Sequence, residues 1–533
     1  MIAKLLDRAI TAFSPEWGAR RARARMVMGY LGADPYTGGS MTDSAMRGFH
    51  PGIGSGDHDT LANLDMLRRR SRDLVRNSAV GAGAIGGVTT AVVGEGIVPH
   101  PRLDSAYLGW DDKRAEAWEA QVAREYALWA ETSACDARGV QTMAGLQALA
   151  FRSVMESGDA FALLPVRESS ECPYSLRIKL IEADQVCNPD ERADDDKIAG
   201  GVEVDANDQV AAYHILKRHP GGLGPLAGVR EWQRVQARGS ESGRRNILHL
   251  YEPTRPGQRR GVPYLAPVIK ALKQLERYSE AELFAAVISA MFTVFVKRSA
   301  SGTSPLDLPL NPDAEQSSVP IDSKRELRLG KGAIVELDDG EDIQIANPSR
   351  PNAQFDPFFL SVMQQIGMAL QIPMEVLLKV FRNSYSASRA ALQEAWRFYD
   401  TRIAWLVACF CRPVYQEWMA EAVARGRVYA PGFFKDPVAR MVYSEAEWVG
   451  PTEYTLDPTK EVRAAAEAVE AGFSTREREA RRLTGTSFAR NHAQRVKEER
   501  MRREGGLTDT PAATRPAPKP PDPDEKTDDE ESA

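Results

Sequence analysis

A long uninterrupted helical pattern constrains this chain more than any other feature of its sequence. It runs from Leu265 to Arg298, with apolar side chains recurring at the three- and four-residue spacing of one helix face. About 34 residues at a rise of about 1.5 Å each would form a rod of about 50 Å. Because the mean helix of a globular protein has about eleven residues, this pattern indicates a subunit that spans a large assembly.

Length and charge narrow the possible classes of protein. A chain of 533 residues is too long for one compact core, so we expect several domains or an elongated subunit. Its net charge is −6, whereas a protein that grips nucleic-acid phosphates usually has a basic excess. The uncharged apolar run of residues 283–296 is shorter than the roughly twenty residues of a membrane span. We therefore expect a protein that neither enters a membrane nor holds DNA tightly.

The remaining patterns indicate a mixed fold. Residues 60–255 combine helical stretches, including one predicted helix from Asp59 to about Val88, with short strands such as residues 159–166 and 210–216. Apolar residues 358–370 predict a second helix. The overall expectation is an α+β fold that is predominantly helical.

The last third of the chain is predicted to be helical. A very long helix is expected over residues 389–425, and Pro413 inside it predicts a kink, because proline removes a backbone hydrogen bond. Another helix, residues 460–471, stops at Gly472. Residues 474–477, Ser-Thr-Arg-Glu, form a predicted capping box that opens the next helix.

Both ends of the chain have the composition of poorly ordered segments. Residues 1–59 are polar, glycine-rich and basic by turns, which predicts an N-terminal arm that is partly disordered. Residues 507–533 contain eight acidic and three basic side chains, a net charge of −5, with few apolar residues to bury. We predict a disordered acidic tail at 506–533.

One glycine motif offers an enzymatic alternative. Gly81, Gly83 and Gly86 match the dinucleotide-binding fingerprint, which requires a buried strand before the first glycine. The preceding residues 68–80 are basic and helical, so a helix of small residues that packs closely on a neighbour is the better interpretation. The sequence contains no G-x-S-x-G or HExxH motif and no His/Cys zinc spacing. We predict no enzyme activity, catalytic residue, metal or cofactor, and keep a dinucleotide-binding enzyme as a remote alternative.

Several segments, taken together and in order, resemble the portal proteins of lambda-type tailed phages. Residues 347–358, 384–397 and 457–480 are similar to segments of that family, and the resemblance covers residues 60 to 500. The turn before the long helix and the core of that helix carry its most specific motifs. They comprise Arg255, Pro256, Gln258, Arg260, Gly261, Val262 and Pro263, followed by Leu275, Tyr278, Ala281, Glu282 and Leu283.

The resemblance implies a portal-type elongated subunit with an α/β wing, a helical stem, a clip and a helical crown. By order along the chain, the parts are the wing at 60–263, a stem helix at 264–298, the clip at 299–352, a second stem helix at 353–378, a tunnel loop at 379–388, a kinked wing helix and its return at 389–454, and crown helices at 455–505.

The resemblance also implies a function and a set of partners. Portal subunits form a homo-oligomeric ring, generally of twelve copies, at one capsid vertex. Double-stranded DNA passes through the ring without sequence specificity during packaging and ejection. The implied partners are the terminase large subunit, a head–tail adaptor, and the major capsid and scaffold proteins. The protein would be made in the host bacterial cytoplasm and reside in the virion; another head-assembly or tail-connector protein stays an alternative.

The implied tunnel loop is the predicted DNA contact. A conduit must contact phosphates weakly, and a ring repeats each channel residue about twelve times, so one basic residue per subunit is enough. Arg382 is the predicted residue at the narrowest point; the alternative is that it pairs with a neighbouring subunit. The predicted channel residues are Lys379, Arg382, Asn383, Ser384, Tyr385 and Ser386.

Overall fold

The chain divides into two compact units, residues 1–59 and 60–533. The computed structural model describes residues 14–31, 36–40, 43–46, 48–223, 230–291, 295–298, 341–344, 354–381, 384–452, 458–486 and 488–505. In the first unit, helix α1 is Pro15–Leu31 and a short 3-10 turn follows at Thr37–Gly39. The predicted acidic tail, most of the predicted clip, and the predicted channel residues Arg382 and Asn383 lie outside the described residues.

Helices make up most of the described structure, which confirms the predicted α+β, mainly helical fold. After α1, the helices are α2 Gly56–Asn77, α3 Ala79–Val93, α4 Ser105–Leu108, α5 Asp112–Ala130, α6 Met143–Ser157, α7 Ile269–Met291, α8 Phe355–Ala369, α9 Met374–Leu378, α10 Tyr385–Leu406, α11 Arg412–Ala424, α12 Pro437–Tyr443, α13 Pro458–Glu470, α14 Arg476–Thr484 and α15 Phe488–Glu504.

The strands form small antiparallel sheets. They are β1 Val98–Pro101, β2 Asp159–Leu163, β3 Lys179–Ile181, β4 Ile198–Ala199, β5 Val202–Val204, β6 Val210–Leu216, β7 Trp232–Gln236, β8 Ile247–Tyr251, β9 Phe295–Arg298, β10 Glu341–Gln344 and β11 Ala446–Val449. One sheet has the order β3-β2-β8 and another β4-β5-β6-β7, while β1 pairs with β11 and β9 with β10. The three- and four-stranded sheets both lie in the region predicted to be the wing.

The main core joins helices that are far apart in sequence. Trp118, Val122, Tyr126 and Trp129 form the buried stripe of α5, as their helical spacing predicts. The Tyr126 ring lies edge-on to Trp418 of α11, with 5.0 Å between ring centroids. A smaller apolar cluster lies between the two larger sheets.

The predicted helix from Asp59 to Val88 is two helices, α2 and α3. Ser78 lies between them with extended backbone angles (φ −98°, ψ 125°), and its hydroxyl accepts a hydrogen bond from the backbone N–H of Gly81. A serine that caps a new helix at this point ends the preceding one, because its backbone leaves the helical region. The predicted single helix was therefore wrong at this residue.

The predicted unbroken helix to Arg298 is also wrong. A 3-10 turn at Ala266–Val268 leads into α7, which ends at Met291 within the described residues. Residues 295–298 are strand β9, whose backbone pairs with β10 from Arg298 opposite Glu341 to Phe295 opposite Gln344. The 23 residues of α7 span about 35 Å instead of 50 Å.

The long helix predicted over residues 389–425 begins earlier than predicted and contains an interruption close to the expected position. Helix α10 starts at Tyr385, so residues 385–388 of the predicted tunnel loop are helical. A π-helical turn at Val407–Cys411 separates α10 from α11, and Pro413 follows in the first turn of α11. Proline has no N–H for the carbonyl four residues back, and the wider turn accommodates this loss.

The two helices predicted on either side of Gly472 are present as α13 and α14, with a different capping residue. Gly472 follows α13 with φ +76°, as a helix-ending glycine should. The side chain of Thr475 accepts a hydrogen bond from the N–H of Arg478 and caps α14. Ser474, the predicted cap, instead donates its hydroxyl to Glu479, so the predicted box was one residue out of register.

Candidate functional site

The loop before α7 is closed by the side chain of Gln258, which is 4% exposed. Its Oε1 accepts hydrogen bonds from the backbone N–H groups of Thr254 and Arg255, at 3.0 and 3.2 Å. Its Nε2 donates to the carbonyl of Arg260 at 2.7 Å. One buried amide therefore satisfies both ends of this loop, which explains why a glutamine is required here.

Arg260 connects this loop to β2 and to segments between residues 183 and 200, and is 1% exposed. Its guanidinium donates to the carbonyl oxygens of Val186 at 2.7 Å and Ala183 at 2.8 Å, and to that of Gly200. It also forms an ion pair with the carboxylate of Asp159, the first residue of β2. The rigid five-donor fork of arginine suits such a junction of separate segments.

Asp159 is the centre of this buried polar network. Its carboxylate also accepts a hydrogen bond from Arg68 of α2 at 2.8 Å, and His249 of β8 lies 3.4 Å away. Burial alone would raise the pKa of Asp159, but Arg260 and Arg68 outweigh burial and hold it well below its ordinary value. Burial lowers the pKa of His249, which keeps the ring neutral. One carboxylate therefore compensates two buried arginines.

The two glycines at this junction allow a close backbone approach. A Cβ on Gly261 would overlap the carbonyl oxygen of Gly158, and Gly158 itself has φ +89°. After Pro263, the N–H of Tyr264 donates to the carbonyl of Met155 at 3.0 Å. The end of α6 and the turn before α7 therefore touch backbone to backbone, which only glycine permits at residue 261.

Helices α7 and α8 pack through aromatic side chains. The Tyr278 ring stacks on Phe355 and lies edge-on to Phe358, with centroid distances of 5.6 and 5.0 Å. Glu282 lies one turn further along α7 and is half-buried. The hydroxyl of Tyr264 donates to the carbonyl of Leu370, at the end of α8. The two predicted stem helices are thus in direct contact.

The segment predicted to be a tunnel loop, residues 379–388, is partly helical. Lys379 follows α9 with a left-handed backbone (φ 55°) and is exposed. Ser384 caps α10, its hydroxyl accepting from the N–H of Ala387 at 3.4 Å. Tyr385 and Ser386 form the first turn of that helix. Only residues 379–384 connect α9 to α10.

Exposed apolar side chains lie on α7, and an open cleft lies beside α8. On α7, Leu283 and Phe284 are 68% and 66% exposed. An open cleft of about 710 Å³ lies between α8, α9 and α10, and Met368 and Phe398 contribute to its lining. Charged side chains, namely Glu375, Glu394 and Arg397, also line this cleft.

The glycine motif does not form a nucleotide-binding turn. Gly81, Gly83 and Gly86 all lie within helix α3, and a Cβ added to Gly83 or Gly86 would meet nothing within 4 Å. Such a turn needs its glycines between a strand and a helix N-terminus. The helical interpretation of this segment is confirmed.

One group of possible metal ligands occurs among the described residues, namely Glu182, Asp184 and His219. Arg72 already forms an ion pair with Asp184 and lies 3.8 Å from Glu182. The N–H of Gly221 donates to Nδ1 of His219 at 3.0 Å, which leaves the proton of a neutral ring on Nε2, the atom that faces the carboxylates. The arrangement is that of an ion-pair cluster.

Sequence reasoning singled out Arg260, Gly261, Pro263 and Tyr278, but it missed Asp159 and Arg68. A signal existed for Asp159, because it is a lone acid that opens a strongly apolar strand. No signal distinguished Arg68 from its neighbours, since α2 carries several arginines. Within the described part of the chain, no helix is long and apolar enough to cross a membrane.

These features define a structural class: an α+β, mainly helical subunit in which a buried arginine network joins a sheet-containing region to a pair of packed helices. The family described as phage portal protein, lambda family, matches residues 42–402, well over half of the chain. The chain belongs to this lambda family of portal proteins of tailed phages, which are capsid components of the virion.

Curated relatives match along almost the whole chain. Portal protein B of Escherichia phage lambda is 24% identical over 501 residues, covering 91% of each chain. The portal protein of Escherichia phage N15 is 24% identical over 499 residues, covering 91% of this chain and 92% of that protein. Among solved structures, the neck of an empty GTA particle computed with C6 symmetry matches with a TM-score of 0.45 and 15% identity, covering 77% of this chain and 92% of that chain.

Proposed function

We propose that copies of this chain form a ring, of twelve subunits, at one capsid vertex, and that double-stranded DNA enters and leaves the capsid through its channel. Membership of the portal family supports this proposal. The structural observation that supports it most directly is the buried contact between Arg260 and Asp159. A closed ring requires the same subunit geometry in every copy. The network holds the start of α7 against the wing and gives the stem a defined direction.

The exposed surfaces around the stem supply the contacts for such a ring. A ring of identical subunits is heterologous, so one surface of each subunit meets a different surface of the next. Leu283 and Phe284 on α7 form one of these surfaces, and the cleft between α8, α9 and α10, whose lining is partly apolar and partly charged, forms the other. In this proposal the α7 surface of one subunit packs into the cleft of its neighbour.

The connection between α9 and α10 would form the narrowest part of the channel. Lys379 is exposed there, and Arg382 and Asn383 belong to the same short connection in sequence. Twelve copies of one basic residue suffice to contact phosphates without reading bases. Each phosphate that is neutralised changes the logarithm of affinity by about 0.9 per tenfold change in salt.

The remaining parts of the proposal concern assembly partners. The terminase large subunit and a head–tail adaptor would dock on the ring, and the terminase would supply the energy for packaging. The major capsid and scaffold proteins would contact the wing, and the crown helices would face the capsid interior. The chain would be synthesised in the host bacterial cytoplasm before it enters the virion.

Electron microscopy of the purified chain tests the ring. We expect annular particles with a central hole. Monomers, or filaments without a hole, would contradict the proposal and favour another head-assembly or tail-connector protein. The double substitution Leu283→Glu and Phe284→Glu should prevent ring formation, whereas Val166→Glu, at a wing residue that is 61% exposed, should not.

Packaging assays test the channel loop separately. Arg382→Ala and Lys379→Ala should leave the ring intact and alter the length or retention of packaged DNA. If both variants package and retain DNA as the unmodified chain does, the loop does not contact DNA at the narrowest point.

A further inference from the structure

The last two helices that the structure describes, α14 and α15, are basic although the chain as a whole is acidic. Residues 476–504, which include α14 and α15, contain ten basic and five acidic side chains, a net charge of +5. The 27 residues 507–533 have a net charge of −5, from eight acidic and three basic side chains. Segments of equal and opposite charge therefore follow one another along the chain.

The basic charge of α15 lies on a solvent-exposed surface. Nearly every side chain described between Asn491 and Glu504 is exposed, whichever face of the helix it occupies. Arg495, Lys497 and Arg503 are all exposed, and none of them forms an ion pair with the residues that the structure describes. A helix that is polar all round does not pack on an apolar core. These cations are available to an anionic partner.

The acidic segment has the length needed to reach this surface. The 17 residues of α15 span about 25 Å. A flexible chain of 27 residues has a root-mean-square end-to-end distance of about 29 Å. Residues 522–531 carry seven of the eight acidic groups and come 18 residues or more after the end of α15. The most acidic part can therefore lie beside the basic helix.

We propose that residues 507–533 bind the basic surface of α15 in the same chain and compete there with the phosphate backbone of double-stranded DNA. Carboxylates of the tail then take the place of phosphates. The masked helix has little affinity for nucleic acid at large, and a high local concentration of DNA displaces the tail. This surface is distinct from the channel loop, and its masking does not require a ring.

The expected size of the effect follows from the tether. A short flexible connection gives an effective concentration of about 1 mM, and non-specific anionic binding has a Kd of about 0.1 mM at the weak end of its range. The tail therefore weakens DNA binding by about tenfold. Three cations released for phosphate contact steepen the salt dependence by up to about 2.7 log units per tenfold change in salt.

The experiment compares full-length variants by fluorescence anisotropy with a short DNA duplex of arbitrary sequence, from about 50 to 200 mM salt. In the first variant, the eight acidic residues of 507–533 become Asn or Gln; it should bind the duplex about tenfold more tightly at low salt. A control variant with the tail residues in shuffled order should bind as the unmodified chain does, because charge and not order is responsible.

A third variant locates the contact. Arg495→Gln, Lys497→Gln and Arg503→Gln, added to the neutral tail, should return binding to the weak level of the unmodified chain; these side chains are exposed, so the fold should persist. Equal affinity of the neutral-tail and unmodified chains overturns the masking. Tight binding that survives the three glutamines overturns the assignment to α15. Micrographs of the same variants report on ring formation independently, so failure of the ring and failure of the masking are distinguishable.

Discussion

Replacement of Asp159 by asparagine should destabilise the sheet β3-β2-β8 more than an exposed substitution of the same kind would. The side chain is fully buried and is the partner of Arg68 and Arg260, whose side chains are 7% and 2% exposed. Asparagine keeps the shape but removes the negative charge, so two buried guanidinium groups lose their compensation. Breaking a buried ion pair in this way costs about 3 to 5 kcal/mol.

Hydrogen exchange of the backbone amides of β2 and β8 measures this loss locally, which is preferable to one unfolding curve for a chain with several parts. A loss of about 3 kcal/mol corresponds to an increase in exchange of about two orders of magnitude. The matched control is Asp65→Asn on α2, because Asp65 and its partner Arg69 are both 67% exposed. That change should cost about 0.5 kcal/mol or less.

The pH dependence of stability gives a second test of the interaction between Asp159 and the two arginines. Arg260 and Arg68 hold the pKa of Asp159 below its ordinary value of about 3.9. A carboxylate with a depressed pKa contributes its full stability above about pH 4, and this contribution is lost as the pH falls through the folded-state value. The difference in local stability between the unmodified chain and Asp159→Asn should therefore be constant above about pH 4 and shrink below pH 4. Equal exchange in Asp159→Asn and Asp65→Asn would refute the reasoning.

Three further substitutions test other contacts. Gly261→Ala should lower the melting temperature, because the added Cβ overlaps Gly158. Gly83→Ala, in open space on α3, should stabilise the chain by about 0.5 to 1 kcal/mol. Equal melting temperatures of these two variants would contradict both predictions. Tyr278→Leu should loosen α7 from α8 by about 1 kcal/mol or more through loss of its aromatic contacts. Proteolysis at the ends of α8 measures that loosening, and unchanged cleavage counts against the contact.

The class of fold was predictable because local patterns report local structure. The buried stripe of α5 follows from helical spacing, and the end of α13 follows from Gly472. The resemblance to lambda-type portals rested on motifs such as Gln258 to Pro263, and the family match confirms it. The boundaries of wing, stem, clip and crown, and the channel residues, stay predictions.

Element ends were less predictable because they depend on competing partners. Residues 292–298 continue the helical sequence pattern of α7, yet residues 295–298 pair with a strand more than forty residues away. The start of α10 depends on Ser384 as its cap, although several polar residues nearby could serve. A local pattern cannot rank such alternatives when tertiary contacts decide between them.

The turn before α7 shows most clearly which features follow from the sequence and which depend on the tertiary structure. The sequence alone determined that residues 259–263 precede a long helix, and that a glycine and a proline punctuate the turn. Only the tertiary structure decided that Arg260 is buried against Asp159, 101 residues earlier, with Arg68 a further 91 residues before that carboxylate. Burial of an arginine depends on which carboxylate and carbonyl groups the fold brings to it, and no local pattern in the sequence records that arrangement.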